Sequence, residues 1–311
     1  MDNDMHPEVR AFLEALDAGA PDVHAYEPSE LREIILSRRG PLEPDPPMAE
    51  VHDLTIDGPG GELPLRIYRP TAEADLPVVV FAHGGGFVFC DVDTHDEFCR
   101  TIAKQTGTLV ISVDYRLAPE HRAPAAHDDF YAALQWAAEH AGEYGGDATR
   151  LFVAGDSAGG NLATTAALTA RDRGGPAVAG QVLIYPVIDD DFESESYRNY
   201  GEGYYNTTSK MQWYWDQYAD PDARDDQRIK PTVAESLAGL PPAVVVTAKF
   251  DPLCSEGDDY AERLGHEGVK VWHRRFDLFH GFVTFPTLPQ SLEARTEIFA
   301  MMRELFAESA G

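Results

Sequence analysis

"VAGDSAGGN", Val153 to Asn161, is the stretch on which the reading of this chain turns. It places Ser157 between Gly155 and Gly159. The residues before the serine, Leu151 to Ala154, read as a buried strand. Those after it, from Ala158 to Ala170, are rich in alanine and leucine and read as a helix. A serine at so sharp a strand-to-helix turn is held in a strained backbone conformation that exposes its hydroxyl. The turn leaves no room for a side chain at 155 or 159, hence glycine at both. Gly160 lets the helix come close to the sheet, and Asp156 is expected to face away from the serine and support the loop. A lone G-x-S-x-G pattern arises often by chance. Its place between an apolar strand and a helix is what gives it weight.

Outward from that turn, short β-branched runs alternate with helical patterns. "ELPLRIYRP", "LPVVVFAHGGG", "TLVISVDYR", "GQVLIYPV", "PAVVVTAKFD" and "VKVWHRR" read as further strands. "AHDDFYAALQWAAEH" and "SAGGNLATTAALTARD" read as helices between them. Runs this apolar suit a mostly parallel sheet covered by helices on both faces, an α/β architecture. Two segments break the rhythm. Residues 1–46 carry two amphipathic helix candidates, "HPEVRAFLEAL" and "PSELREIILSRR", and run into the proline-rich "GPLEPDPPMAE". Residues 189–228 include the aromatic "YRNYGEGYYNTTSKMQWYWDQY". Sheet connections are normally short, so the insertion reads as a lid over a site or as a helix pair packed on the core.

Composition narrows the function classes. The formal charge of −28 argues against nucleic acid as a partner, because phosphate is repelled. Five lysines stand against twenty arginines. An acidic enzyme with arginine-favouring codons and a surface adapted to salt both fit that skew. Cys90, Cys99 and Cys254 form neither an even disulfide framework nor a metal-ligand spacing. No signal-peptide pattern opens the chain, and no run approaches the roughly 18 apolar residues of a membrane span. The expectation is a cytoplasmic protein with no membrane span.

Three further constellations carry chemistry. "HGGGF", His83 to Phe87, follows a buried strand. Successive glycines leave backbone N–H groups open to converge on a developing anion, and the N–H of Ala158 is a further donor. His83 reads as a structural residue holding that loop. A serine nucleophile needs a base, and the base an orienting acid. "VVVTAKFDPL" ends a strand at Asp251, and "VKVWHRRFDLFHGF" reaches His280. The order Ser157, Asp251, His280 is the one expected of an α/β hydrolase. Asp277, in the same loop as His280, is the rival acid, and Asp251 is favoured. "DYRLAPEHRAPAAHDD", Asp114 to Asp129, reads as a network bracing the glycine loop, with Asp114, Arg116 and Glu120 as internal ion-pair candidates. His121 and His127 lack the geometry of a zinc helix, and no metal is expected.

"HGGGF", "DYRLAPEH", "GDSAGG", "YPVID", "DPL" and "HGF" follow one another as in the hormone-sensitive lipase family of carboxylesterases, the bacterial family IV esterases, which this chain resembles over nearly its whole length. "GDSAG" resembles the branch with Asp before the serine. The resemblance implies an α/β-hydrolase fold, a central mostly parallel sheet flanked by helices. It also implies a helical cap from residues 1–46 and 189–228, over a catalytic domain of 47–188 and 229–311. It makes Ser157 the nucleophile, Asp251 the orienting acid and His280 the base. It maps the oxyanion donors onto Gly85, Gly86 and Ala158, with Gly84 left open.

The implied activity is hydrolysis of small-molecule esters, without a cofactor. A pocket expected to be lined by Phe87, Tyr204, Tyr205, Trp213, Trp215, Phe279 and Phe282 suits short apolar acyl chains. Lactones, acetylated sugars and amides are alternative substrates for the same triad. A non-hydrolytic small-molecule receptor is disfavoured, because His280 is present. A homodimer through exposed edge strands is left open. Cys254 and Ser255 stand where the family often has charged residues, and the sequence offers no role for them.

Overall fold

Runs such as Val78–Val80 and Val244–Val246 have no polar face, so they are stable only in a sheet covered on both sides. A computed structural model, describing residues 4–38 and 44–308, has that arrangement. The strands are β1 (Glu50–Gly58), β2 (Gly61–Arg69), β3 (Leu76–Ala82), β4 (Leu109–Val113), β5 (Gly146–Asp156), β6 (Gly180–Ile184), β7 (Ala243–Phe250) and β8 (Val271–Phe279). They form one sheet in the order β1-β2-β4-β3-β5-β6-β7-β8. β2 is antiparallel to both its neighbours, and every other pairing is parallel.

The helices are α1 (Pro7–Gly19), α2 (Pro28–Arg38), α3 (Asp96–Thr106), α4 (Ala125–His140), α5 (Ala158–Arg173), α6 (Glu195–Tyr200), α7 (Thr208–Tyr218), α8 (Cys254–His266) and α9 (Pro289–Glu308). Alternate residues of each inner strand feed opposite cores. Val80, Leu151 and Val153 join α4, α5 and α8 on one face. Phe81, Phe152 and Ala154 join α3 and α9 on the other, where Phe152 and Phe306 lie 4.4 Å apart. α5 is small-residued and buried from Ala158 to Ala170, which lets it lie close on the sheet.

β1 is absent from the sequence reading. Its residues alternate charged and apolar, and only Ile56 is buried, so an edge strand gives little hydrophobic signal. β8 runs on to Phe279, which puts Asp277 on an exposed strand position and not in the loop of His280.

Topology sets the site. Chain order reverses between β4, β3 and β5, so the loops leaving β3 and β5 start side by side, with Ala82 paired to Gly155. Phe250 pairs with Phe279, so the next residues, Asp251 and His280, leave the sheet as neighbours. The irregular segments supply α1 and α2, and α6 and α7. They touch each other where His24 Nε2 lies 2.7 Å from Ser209 Oγ. Residues 1–3, 39–43 and 309–311, including part of the proline-rich stretch, lie outside the described residues.

Candidate active site

Ser157 is the single residue between β5 and α5, with φ 55° and ψ −118°. That conformation strains a residue with a Cβ and holds its side chain out of the turn. The neighbouring glycines make it sterically feasible. A Cβ at Gly155 would lie 2.2 Å from Gly159 O, and one at Gly159 would lie 1.9 Å from Ala82 O. At Gly160 a Cβ would meet Pro186 at 2.8 Å, which explains the close helix contact.

Ser157 Oγ lies 2.8 Å from His280 Nε2, and His280 Nδ1 lies 2.6 Å from Asp251 Oδ2. Asp251 is fully buried, and its other oxygen accepts the Leu253 N–H at 3.0 Å. A carboxylate only accepts, so Nδ1–H donates to Asp251 and Nε2 is left to accept the Ser157 hydroxyl. The chain of bonds is able to draw the serine proton onto the imidazole and stabilise the charge that results. Tyr185, in the stretch "YPVID", packs on the His280 ring at 4.8 Å. Asp277 is exposed and lies outside this buried chain of bonds.

The glycine loop is held from below. Gly84 donates its N–H to Asp156 Oδ1 at 2.9 Å. That donor is spent, which removes Gly84 from the candidates for binding an anion. Among the described residues no acceptor takes the N–H groups of Gly85 or Gly86, whose φ values are +116° and +61°. Ala158 opens α5, where first-turn N–H groups have no intrahelical acceptor. Burial alone would raise the carboxyl of Asp156. The His95 ring, 3.3 Å away, His83 and the Gly84 N–H outweigh it and hold the pKa below the ordinary value. His83 Nδ1 bonds Gly84 O at 2.7 Å, and its ring stacks on Tyr115. Burial, then the nearby His95, press the His83 pKa down to about 4, so it sits there neutral.

A family model described as alpha/beta hydrolase fold matches residues 79–284. The carboxylic ester hydrolase LipN of Mycobacterium tuberculosis is 43% identical over 263 residues, 82% of this chain and 70% of that protein. The ethyl acetate hydrolase of Pseudomonas putida is 36% identical over 285 residues, 86% of this chain and 88% of its own. The solved structure of a hyperthermophilic esterase from Pyrobaculum calidifontis superposes with a TM-score of 0.90 at 40% identity, covering 97% of this chain and 98% of that one. This chain belongs to the hormone-sensitive lipase family of carboxylic ester hydrolases. In this esterase Ser157 and His280 lie at the floor of a cavity of about 680 Å³.

The cavity of the esterase is lined by Gly85, Gly86, Ser157 and His280 below. Of the expected wall residues, Phe87, Tyr205 and Trp215 line it. The structure corrects the other four. Tyr204 stacks on Phe250, and Trp213 stacks on Phe89. Phe279 is buried against Phe12, and Phe282 against Tyr185 and Phe276. Phe279 and Phe282 flank His280 in sequence, but strand end and following turn send their rings into the core below the sheet edge. Missing from the sequence reading are Leu16, Val23, Leu31 and Ile35 from the N-terminal segment, and Met211 and Tyr214 from α7. The amphipathic periodicity of Leu16, Leu31 and Ile35 was legible, but not which face met the site.

The "DYRLAPEHRAPAAHDD" stretch forms one of its ion pairs internally and one with the cap. Arg116 pairs with Asp129 at 2.8 Å, and Glu120 pairs with Arg32 of α2 at 2.6 Å. Asp114 takes a backbone N–H from Val92, and burial with Asp91 nearby raises it to about 6. Asp129 closes the stretch itself, so the Arg116 pair is internal to it, whereas the partner of Glu120 comes from α2. Ser255 does have a structural part. It exchanges hydrogen bonds with Ser196 of α6, at 3.1 and 3.0 Å, and Ser196 Oγ reaches Pro252 O at 2.5 Å. The insertion is thus tied to the residues that follow Asp251. Cys254 Sγ lies 3.6 Å from Asp258 Oδ2, with its thiol kept protonated by burial. Among the described residues no three metal-ligating side chains converge, and no helix is long and apolar enough to cross a membrane.

Proposed function

We propose that the esterase works by a two-step acyl-enzyme mechanism on short-chain esters. Ser157 attacks the acyl carbonyl as His280 takes its proton. The resulting oxyanion is held by the N–H groups of Gly85, Gly86 and Ala158. His280 then protonates the leaving alcohol, and water activated by the same ring releases the acid. Asp251 fixes the imidazole tautomer and stabilises the imidazolium. The observation that carries this reading is the unbroken chain Ser157–His280–Asp251 beneath spare backbone donors.

The two irregular segments, 1–46 and 189–228, act as one helical cap over the catalytic domain. Its walls, Leu31, Met211, Tyr214 and Trp215 among them, are apolar and close, which supports short acyl chains over long ones. The relative in Pseudomonas putida, named an ethyl acetate hydrolase, points the same way. Lactones, acetylated sugars and amides are outside this reading. The site works without a cofactor. The compartment is reducing and cytoplasmic, in keeping with three free thiols, and the edge strands β1 and β8 are where two copies would pair.

A p-nitrophenyl ester series, with Ser157→Ala as the blank, tests the reading. Turnover is expected to peak at short acyl chains and to vanish in the variant. A peak at long chains overturns the substrate class, and undiminished turnover by Ser157→Ala overturns the mechanism.

A further inference from the structure

The turn that carries Gly85 and Gly86 has little stiffness of its own. Both residues lack side chains, and both sit at positive φ. Its internal bonds are two, from the N–H groups of Val88 and Phe89 to Gly85 O, at 3.0 and 2.9 Å. Its order must therefore come from outside. On the sheet side the anchor is Asp156, through Gly84. On the cap side it is Arg32 of α2.

Arg32 Nε donates to Val88 O at 2.7 Å, and Nη2 donates to Ala118 O at 2.7 Å. Ala118 N in turn donates to Phe87 O at 2.9 Å. One planar guanidinium thus spans the glycine turn and the segment that braces it. Glu120 holds the guanidinium in place through Nη1 at 2.8 Å and Nη2 at 2.6 Å. The fork is well matched to this task, because its donors diverge in fixed directions, whereas an ammonium is a single point. Both carbonyls it binds are on buried residues, and a carbonyl left unsatisfied there carries a real penalty.

We propose that Arg32 is a positioning residue through which docking of α2 completes the oxyanion hole. The proposal rests on the acyl-enzyme reading above. With α2 seated, the Gly85 and Gly86 donors are fixed before charge develops on the substrate. With α2 displaced, Ser157 and His280 remain but the donors lose their aim. Cap closure and preorganisation of the hole are then one event, linked by one side chain.

The test is steady-state kinetics of Arg32→Ala and Arg32→Lys on a short p-nitrophenyl ester, together with inhibition by an alkylboronic acid that forms a tetrahedral adduct on serine. Arg32→Ala is expected to lose about tenfold to a hundredfold in kcat with KM within about threefold, and boronate affinity should fall in parallel. Guanidinium at millimolar, non-denaturing concentration should restore part of the kcat of the alanine variant and leave wild type unmoved. Loss of packing alone would not be rescued in this way. A kcat within about threefold of wild type, or an intact boronate affinity with no rescue, overturns the proposal. If Arg32→Ala does not fold, Arg32→Lys decides. A loss of about tenfold at native circular dichroism supports the proposal, and wild-type kcat overturns it. Wild-type protein that hydrolyses no ester overturns the mechanism and this inference together. Wild-type turnover beside an equally fast Arg32→Ala overturns this inference alone.

Discussion

The floor and the roof of the cavity are built on different principles. The floor consists of residues that immediately follow strands: Ser157 after β5, Asp251 after β7, His280 after β8 and the glycine turn after β3. Strand pairing sets their positions to within a residue, as the pairs Ala82–Gly155 and Phe250–Phe279 show. The roof comes from two segments far apart in sequence, joined to each other and to the floor by a few side-chain bonds such as His24–Ser209, Ser196–Ser255 and Arg32–Val88. Chemistry is assigned to the part fixed by backbone ladders. Selectivity is assigned to the part fixed by side chains, which substitution alters more readily.

If that division is right, changes in the floor should cost turnover, and changes in the apolar walls of the roof should redirect it, Arg32 apart because it binds the glycine turn of the floor. Ser157→Ala is expected to lower kcat by about 10⁶, measured against the same batch of wild type after controls for contaminating esterase. Asp251→Asn should cost about 10⁴ in kcat by imposing the wrong imidazole tautomer. A loss below about tenfold would hand the role to another acid, although exposed Asp277 is poorly placed to take it.

Asp156→Ala frees the Gly84 N–H and loosens the turn without deleting a donor. A drop of about tenfold to a hundredfold in kcat at steady KM is expected, below the 10²–10³ typical of losing an oxyanion donor outright. In the roof, Trp215→Ala should move the optimum toward longer acyl chains. Discrimination between adjacent chain lengths should change by about 1–3 kcal/mol at most, read as ratios of kcat/KM. A variant in the apolar wall that abolished turnover on every ester would erase the distinction.

The smallest effect concerns pH. Hydrogen bonds from Arg32 hold Glu120 down to about 2, from an ordinary value of 4.5. A depressed carboxyl contributes stability above its unfolded pKa and loses it as pH falls. The Glu120 contribution should therefore be complete above about pH 4.5 and gone near pH 2. It is small, because the Glu120 side chain is half exposed. Melting curves of wild type and Glu120→Gln should differ at pH 5 and converge at the acid end. A gap that stays constant across the range would disconnect the pair from stability.

The same contrast explains what was legible in the sequence. The motif around Ser157, the glycine run after "VVVFA" and the acid and base after later strands were readable because each requirement is local. A strained turn needs glycine neighbours, and an anion site needs bare backbone. Asp114, Arg116 and Glu120 were singled out as internal ion-pair candidates; Arg116 finds its partner inside the stretch, at Asp129, whereas Glu120 pairs with Arg32 of α2. Phe279 and Phe282 looked like pocket walls because they flank His280, but the strand end and the turn after it send them into the core. Leu31 was visible only as a member of a helical pattern, and Tyr214 only as one aromatic among many in the insertion. Which face of such a helix meets a cavity depends on contacts made across the whole chain, and these leave no local trace.

The central claim is that Ser157, His280 and Asp251 act as a unit on an acyl carbonyl. Fluorophosphonate labelling followed by peptide mass spectrometry tests it most directly. The account predicts a single adduct on Ser157, formed rapidly by wild type and drastically slowed by His280→Ala. Labelling of a different serine, or undiminished labelling without His280, would contradict it.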